Sequence, residues 1–559
     1  MGSDAETFEL ARAHHRAGRL GEAVAAYRKV VAREPANIEA LNNLGNVLVE
    51  AGQFEPAVEC LEQAVKLRPD LAPLHFNLGN ALRAAGMFER AIAAYRQTLA
   101  LAPNFAAGYN NLAAAQKAVG DFAAAERSLA AALRLDPAYA DGHYNLGLLR
   151  YDRRDLSGAR ESYLRSLELR PDNAAVHYNL GIVLVAEGDW NSARRHFTEA
   201  LRLRPQYAQP HCHLGLMLLA HGEDDAALAH FDAALAIDPQ CPEAHANRGA
   251  ILLTRGDYQS GWPELAWSRR CASYAGPKLD VPAWDGAPLD GRSILVHGYH
   301  GLGDTLQFVR FLPELRSRGA GRVVLCVPEA LHPLFRQSGL GELASPHEAP
   351  PRCDVSAAVF DLTWLLRPTE RTIPAAPYLR ISPVHVAQWR RNLELAGFQV
   401  GIAWQGSVDY AWDHLRSIPL AVFAPLAAVH GVRLVSLQKG PGCEQLARLG
   451  GSFWVTDLGD AESRSLEDTA AIIANLDLVI TCDTAIAHLA GATGAPVWTA
   501  LSRGADWRWG RAVETTPWYP TMRLFRQQVL GRWGDVFESM AARLRELVAA
   551  KQARGTATP

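Results

Sequence analysis

Seven prolines recur at intervals of 34 residues: Pro35, Pro69, Pro103, Pro137, Pro171, Pro205 and Pro239. A period of that length, kept that strictly, excludes one compact core for this part of the chain. It demands an array in which a small unit stacks on copies of itself. Twelve residues before each proline stands an alanine: Ala23, Ala57, Ala91, Ala125, Ala159, Ala193 and Ala227. Eight residues before it stands a bulky side chain: Tyr27, Leu61, Tyr95, Leu129, Tyr163, Phe197 and Phe231. The small residue lets two helices cross closely, and the bulky one fills the space between them. Glycines such as Gly52, Gly86, Gly120, Gly188 and Gly222 supply the turn. Each unit therefore reads as helix, turn, helix and a proline-marked link.

Seven full units cover about residues 4–241, and an eighth begins at Pro242. The eighth keeps Asn247, Gly249 and Gly256, has Gly261 and Trp262 in the alanine region, and lacks the closing proline. It is expected to cap the stack with a different outer face. Two residues before the small residue of most first helices stands an asparagine: Asn43, Asn77, Asn111, Asn145, Asn179 and Asn247, with His213 interrupting. An amide both donates and accepts, so such a row can grip the backbone of an extended peptide or bond neighbouring repeats. The sequence leaves both uses open. The period and form resemble the tetratricopeptide repeat. The asparagine row looks like that of the repeat superhelix in protein O-GlcNAc transferases, which implies a peptide or protein partner.

At 559 residues the chain exceeds what one core holds, so a second unit is expected. A formal net charge of −3 gives no general attraction to nucleic acid. The eight cysteines are scattered with no C-x-x-C pair, which indicates neither a zinc site nor a disulfide framework. No window holds 18 consecutive apolar residues, and no signal-peptide stretch opens the chain. A cytoplasmic location with no membrane span is expected.

From Ser293 apolar runs of strand length alternate with helical stretches, the pattern of a parallel sheet covered by helices. Strands are predicted at 293–297, 323–327, 400–404, 434–437, 454–455, 478–481 and 497–501. They order as two Rossmann-like halves meeting near 380–398. The expected fold class is an α-solenoid followed by an α/β domain. Its parts are repeats over 1–270, a linker over 271–292, a first half over 293–390, a second half over 391–545 and a disordered tail over 546–559.

Two turns carry chemistry. The first strand runs into Gly298-Tyr299-His300-Gly301-Leu302-Gly303-Asp304, where backbone amides and a helix start favour an anionic ligand. At the end of strand 478–481, Asp483 and Thr484 stand at another helix start, with His488 one turn later on the same face as Thr484. Structurally, Asp483 and Thr484 can simply cap that helix. Arg416, Lys439 and Arg503 can each neutralise a diphosphate.

With Gly303-Asp304 and the helix after it, the run Asp483–His488 resembles the heptosyltransferase group, glycosyltransferase family nine, over about residues 293–530. The resemblance implies a GT-B fold and a nucleotide-sugar substrate, with no further cofactor. It implies donor contacts by Asp483, Thr484 and His488, joined by Gly303 and by Arg416, Lys439 or Arg503, and Asp304 as base on the acceptor. His297 and His300 are rival bases. No paired aspartates suggest a metal site, so inverting, metal-independent transfer is expected. Ala485 and Ile486 replace the family's usual glycine and proline, so the donor's identity does not carry over. The expected function is sugar transfer to a protein acceptor held by the repeats, with flagellin or another surface protein suggested by resemblance to bacterial enzymes of this layout. The alternatives are a lipid-linked or polysaccharide glycan acceptor, and a non-catalytic repeat scaffold.

Overall fold

The computed structural model describes residues 4–556, apart from 273, 275, 277, 278, 299, 300, 375, 394, 395, 409, 411 and 460–463. Two units divide the chain, one ending at Pro210 and the other beginning at His211.

The first unit is a stack of helix pairs on the predicted period. First helices include Ile38–Glu50, Ala72–Ala84, Ala106–Ala118, Ala140–Asp152 and Ala174–Ala186. Second helices include Leu20–Arg33, Phe54–Leu67, Phe88–Leu101, Phe122–Leu135, Leu156–Leu169 and Trp190–Leu203. A residue before proline is pushed out of the helical region, and the second helices stop there: Glu34 sits at φ −124°, ψ 74° and Arg68 at φ −140°, ψ 79°. Between the helices Gly52, Gly86, Gly120 and Gly188 take φ of 72°, 74°, 81° and 84°, and in the fifth repeat Arg154 takes that place at 64°. The alanines at positions 23, 57, 91, 125, 159 and 193 are fully buried. The crossing is closer still opposite the bulky residues. A Cβ on Gly79 would lie 2.6 Å from the Tyr95 ring, and one on Gly181 2.5 Å from Phe197.

The second unit opens with the rest of the repeats: Asp224–Ile237, Pro242–Thr254 and Tyr258–Leu265, then a 3₁₀ turn at Ala266–Arg270. Two parallel sheets follow. The first contains β1 (Ser293–His297), β2 (Arg322–Cys326), β3 (Glu342–Ala344) and β4 (Val355–Ala358) in the order β3-β2-β1-β4. The second contains β5 (Phe398–Ala403), β6 (Val432–Ser436), β7 (Val455–Thr456), β8 (Leu478–Cys482), β9 (Val497–Leu501) and β10 (Met522–Arg526) in the order β10-β9-β8-β5-β6-β7. Strand order therefore reverses between β1 and β4 and between β5 and β8. Ligands of such sheets bind beyond the carboxyl ends of strands at these reversals.

Several boundaries differ from expectation. The eighth helix pair turns its altered face to the α/β core. Trp262 is 1% exposed, donates from Nε1 to the Pro368 carbonyl at 2.7 Å, and meets the Trp507 ring edge-on at 5.4 Å. Gly261 keeps the small residue of the crossing, and the tryptophan stands one position later, where the seventh repeat has Leu228, because the neighbour on that face is a sheet domain rather than another repeat. The later part of the 271–292 linker packs on the α/β core: Ala283 bridges Ser356 of β4, and Trp284 and Leu289 are buried. The helix Pro383–Asn392 belongs with the second half, since His385 and Trp389 both bond Asp468 at 3.0 Å. The expected tail is helical as far as Thr556, because the closing helix Gly534–Thr556 buries Val548 and pairs Lys551 with Asp477 at 2.6 Å; residues 557–559 lie outside the described residues.

Candidate functional site

The two predicted turns meet. Gly303 lies in the first turn of the helix Leu302–Phe308 after β1, and the helix Ala485–Thr493 follows β8. A Cβ on Gly303 would stand 2.9 Å from His488 Cδ2 and 3.6 Å from Ala485 Cα, so only glycine lets these helix starts touch. Beside that contact Asp304 accepts a hydrogen bond from Arg508 at 2.9 Å. Arg508 comes from the loop between β9 and β10, and its Nε lies 3.0 Å from the Asp506 carboxylate.

Arg508 governs the electrostatics. Its side chain is 9% exposed, and its guanidinium lies 5.3 Å from the Phe308 ring centre and 5.4 Å from that of Trp507. Burial opposes its charge, but the carboxylates of Asp506, Asp304 and Asp483 outweigh burial and raise its pKa. Burial and the charge of Asp506 raise the Asp483 pKa, against the pull of Arg508 and Arg416. Arg416 donates to Asp413 at 2.9 Å and stacks over Tyr410 at 4.6 Å, and the charge of Asp483 helps hold its proton. Asp506, Asp304 and Asp483 thus act on the Arg508 guanidinium, and Asp413 and Asp483 on that of Arg416. Such fork-shaped cations suit phosphate or carboxylate ligands.

Thr484 occupies the N-cap position of its helix but makes no capping bond there; its hydroxyl lies 3.2 Å from that of Thr481. The plain capping use of Thr484 is therefore not the one adopted. His488 is 2% exposed, with Nδ1 2.9 Å from the Tyr519 hydroxyl and its ring stacked on Trp509 at 5.4 Å. Burial, then the charges of Arg508, Arg310 and Arg416, hold its pKa well below the ordinary histidine value. His488 thus serves as a neutral spacer behind the contact of the helices.

Two sequence-predicted cations lie apart from Asp304. Lys439, which follows β6, donates its ammonium to the Arg464 carbonyl. Arg503, expected on the donor side, instead bonds the carbonyls of His221 and Gln528. Arg508, five residues further on, takes the place expected of Arg503. The signal was an arginine between two tryptophans with an acid two residues earlier, a local pattern for a buried cation. Arg310, also missed, is 1% exposed and donates to the carbonyls of Gln307 (2.8 Å) and Trp518 (2.7 Å) and to the Tyr378 hydroxyl (3.0 Å). It joins the helix after β1 to the second half. His297 is buried at the end of β1, whereas His300 lies outside the described residues. Cavities of about 480 Å³ beside Leu379 and Arg390 and about 500 Å³ beside Trp262 and Trp364 include none of the predicted site residues. Among the described residues no cluster of three or more metal-type side chains occurs.

In the repeats, the asparagine row bonds one unit to the next. Asn77 donates to Asn42 at 2.8 Å, Asn111 to Asn80 at 2.8 Å, Asn145 to Asn110 at 2.7 Å, and Asn179 to the Tyr144 hydroxyl at 3.1 Å. Asn43 accepts from Asn42 at 3.5 Å, and Asn247 donates to the Glu243 carbonyl of its own helix at 2.8 Å. Of the two uses open to the sequence, the bond between repeats is the one seen.

Comparison with known proteins agrees with the repeat region. A model of the tetratricopeptide repeat matches residues 7–38, and the model "Cilia and flagella-associated protein 70 C-terminal domain" matches residues 34–250. Protein FlbA of Caulobacter vibrioides (strain ATCC 19089 / CIP 103742 / CB 15) is 31% identical over 300 residues, 49% of this chain and 50% of that protein. The chain thus spans about half the length of this curated relative. Among solved structures, the APC/C hetero-tetramer Cut9-Hcn1 is 19% identical, covers 43% of this chain and 48% of its own, and has a TM-score of 0.38. TTC0263, a thermophilic repeat protein of Thermus thermophilus, is 21% identical, covers 33% and 100%, and has a TM-score of 0.29. The first ~265 residues are tetratricopeptide repeats, and an α/β region follows. Among the described residues no helix is long and apolar enough to cross a membrane.

Proposed function

We propose that the α/β region transfers a sugar from a nucleotide-sugar to a protein acceptor engaged by the repeats. The observation that carries this is the pairing of Asp304 with Arg508 beside Asp483, at the reversal points of two parallel sheets. Transfer requires a base for the acceptor hydroxyl and fixed positive charge for the departing diphosphate. Asp304 takes the proton as the acceptor oxygen attacks the anomeric carbon. The bond from that carbon to the diphosphate breaks on the opposite face, inverting the centre. Arg508, Arg416 and the amides at the start of Ala485–Thr493 receive the leaving charge. Asp483 and Thr484 contact the donor, and Gly303 leaves the helix starts close enough for one ligand to touch both.

The repeats raise the acceptor's concentration at the site by holding it. A bond between repeats takes one of an amide's two N–H donors, so Asn77, Asn111 and Asn145 can serve a peptide as well as the stack.

Incubation of the purified protein with nucleotide-sugars and candidate acceptors tests the chemistry. Asp304→Ala is expected to bind donor and lose transfer; full activity in that variant removes Asp304 from the mechanism. Deleting residues 1–210 separates the acceptor classes, since a small glycan acceptor would still react and a protein acceptor would not.

A further inference from the structure

We infer that the seventh repeat is part of the transfer site, with Asp224 a positioning residue that holds Arg508 in place through Arg511. This rests on Arg508 binding the donor's diphosphate. The loop between β9 and β10 has two faces. One presents Asp506 and Arg508 to Asp304. The other is fastened to the repeat. Arg511 grips Asp224, the first residue of the helix Asp224–Ile237, through Nε at 3.1 and 3.0 Å and a second nitrogen at 2.9 Å. The same guanidinium donates to the loop's own Ala505 carbonyl at 2.8 Å, so the grip fixes loop backbone as well as side chain.

Three further contacts close the join. Arg503 donates to the His221 carbonyl. A Cβ on Gly504 would fall 2.2 Å from the Leu219 carbonyl oxygen and 2.5 Å from Ala220 Cα, so backbone meets backbone there. Trp507, next to Arg508, packs edge-on against Trp262 of the eighth repeat. The Arg511–Asp224 side chains are 19% and 11% exposed, unlike the neighbouring Arg255–Asp225 pair at 38% and 95%. A shielded two-pronged pair fixes geometry where an exposed one contributes little. The last repeats therefore act as a splint for the loop, and whatever displaces the Leu219–Asp224 turn displaces Arg508.

The test uses the full chain and calorimetric titration with ADP, GDP, UDP and dTDP, carried forward with whichever wild type binds best. Asp224→Asn is expected to weaken that nucleotide about tenfold, the scale of a slight misplacement of a binding group. Asp225→Asn should leave affinity unchanged. Arg511→Lys, which keeps charge but not the fork, should fall between wild type and Asp224→Asn. Wild-type affinity in both Asp224→Asn and Arg511→Lys overturns the positioning role while leaving the site intact. Binding of none of the four nucleotides by wild type overturns the diphosphate site itself, and the positioning role with it.

Discussion

Replacing Arg508 by methionine keeps the apolar stem and removes the guanidinium. The side chain is 9% exposed, and its partners Asp304 and Asp506 are 28% and 38% exposed. Breaking a buried pair costs about 3–5 kcal/mol and losing an exposed one about 0.2–1 kcal/mol. Water can reach the stranded carboxylates in part, so about 2–3 kcal/mol is expected. Asp304→Asn leaves Arg508 its second partner and should cost about 1 kcal/mol. The double variant should fall short of the sum by about 1 kcal/mol, because the residues share one network. Urea unfolding followed by tryptophan fluorescence reports on the right part of the molecule. Of the 14 tryptophans only Trp190 precedes residue 211. An Arg508→Met protein as stable as wild type, or strictly additive variants, would refute the pairing.

In the repeats, Gly79→Ala and Gly86→Ala separate packing from backbone strain. Gly86, at φ 74° with open space around it, should cost about 1 kcal/mol. Gly79 faces the buried Tyr95 ring at 2.6 Å and should cost more, about 1–3 kcal/mol, in helix melting by circular dichroism; the reverse order contradicts the packing described. His488 stays neutral in the folded state while the unfolded chain binds a proton below its ordinary value of 6.5. Its contribution is therefore complete above that pH and falls by about 1.4 kcal/mol per unit as pH drops from there toward the depressed folded value. His488→Gln should flatten that acid limb in urea melts between about pH 6.5 and 5, and an unchanged slope would show that the histidine is not held neutral.

The repeat region was legible because its signals are local and redundant. Proline before the link, glycine in the turn and alanine at the crossing each repeat, and each acts on its own neighbours. Strands β1 and β9 were also placed residue by residue, since Ser293–His297 and Val497–Leu501 are apolar runs between turn residues. Strands β3, β4 and β10 were missed: Glu342–Ala344 spans three residues, Val355–Ala358 ends in small residues, and Met522–Arg526 mixes arginines with apolar positions. Asp304 and Asp483 were visible because each follows a strand and opens a helix. The choice of Arg503 over Arg508 failed because both follow β9 in sequence, and only the docking of Gly504 on the seventh repeat turns one outward and the other to Asp304. Long-range packing of that kind leaves no period behind. The place of Trp262 has the same origin: the sequence marks the eighth repeat as different without stating what it packs against.

Sugar transfer requires above all that the α/β region bind a nucleotide-sugar. Thermal unfolding followed by tryptophan fluorescence across a panel of nucleotide-sugars measures this directly, since a ligand at a hundred times its Kd stabilises the folded state by about 2.7 kcal/mol. One donor should raise the unfolding temperature, and Asp483→Ala should abolish the rise. A complete panel with no shift at saturating concentrations would contradict a transferase and leave a repeat protein whose α/β region serves another purpose.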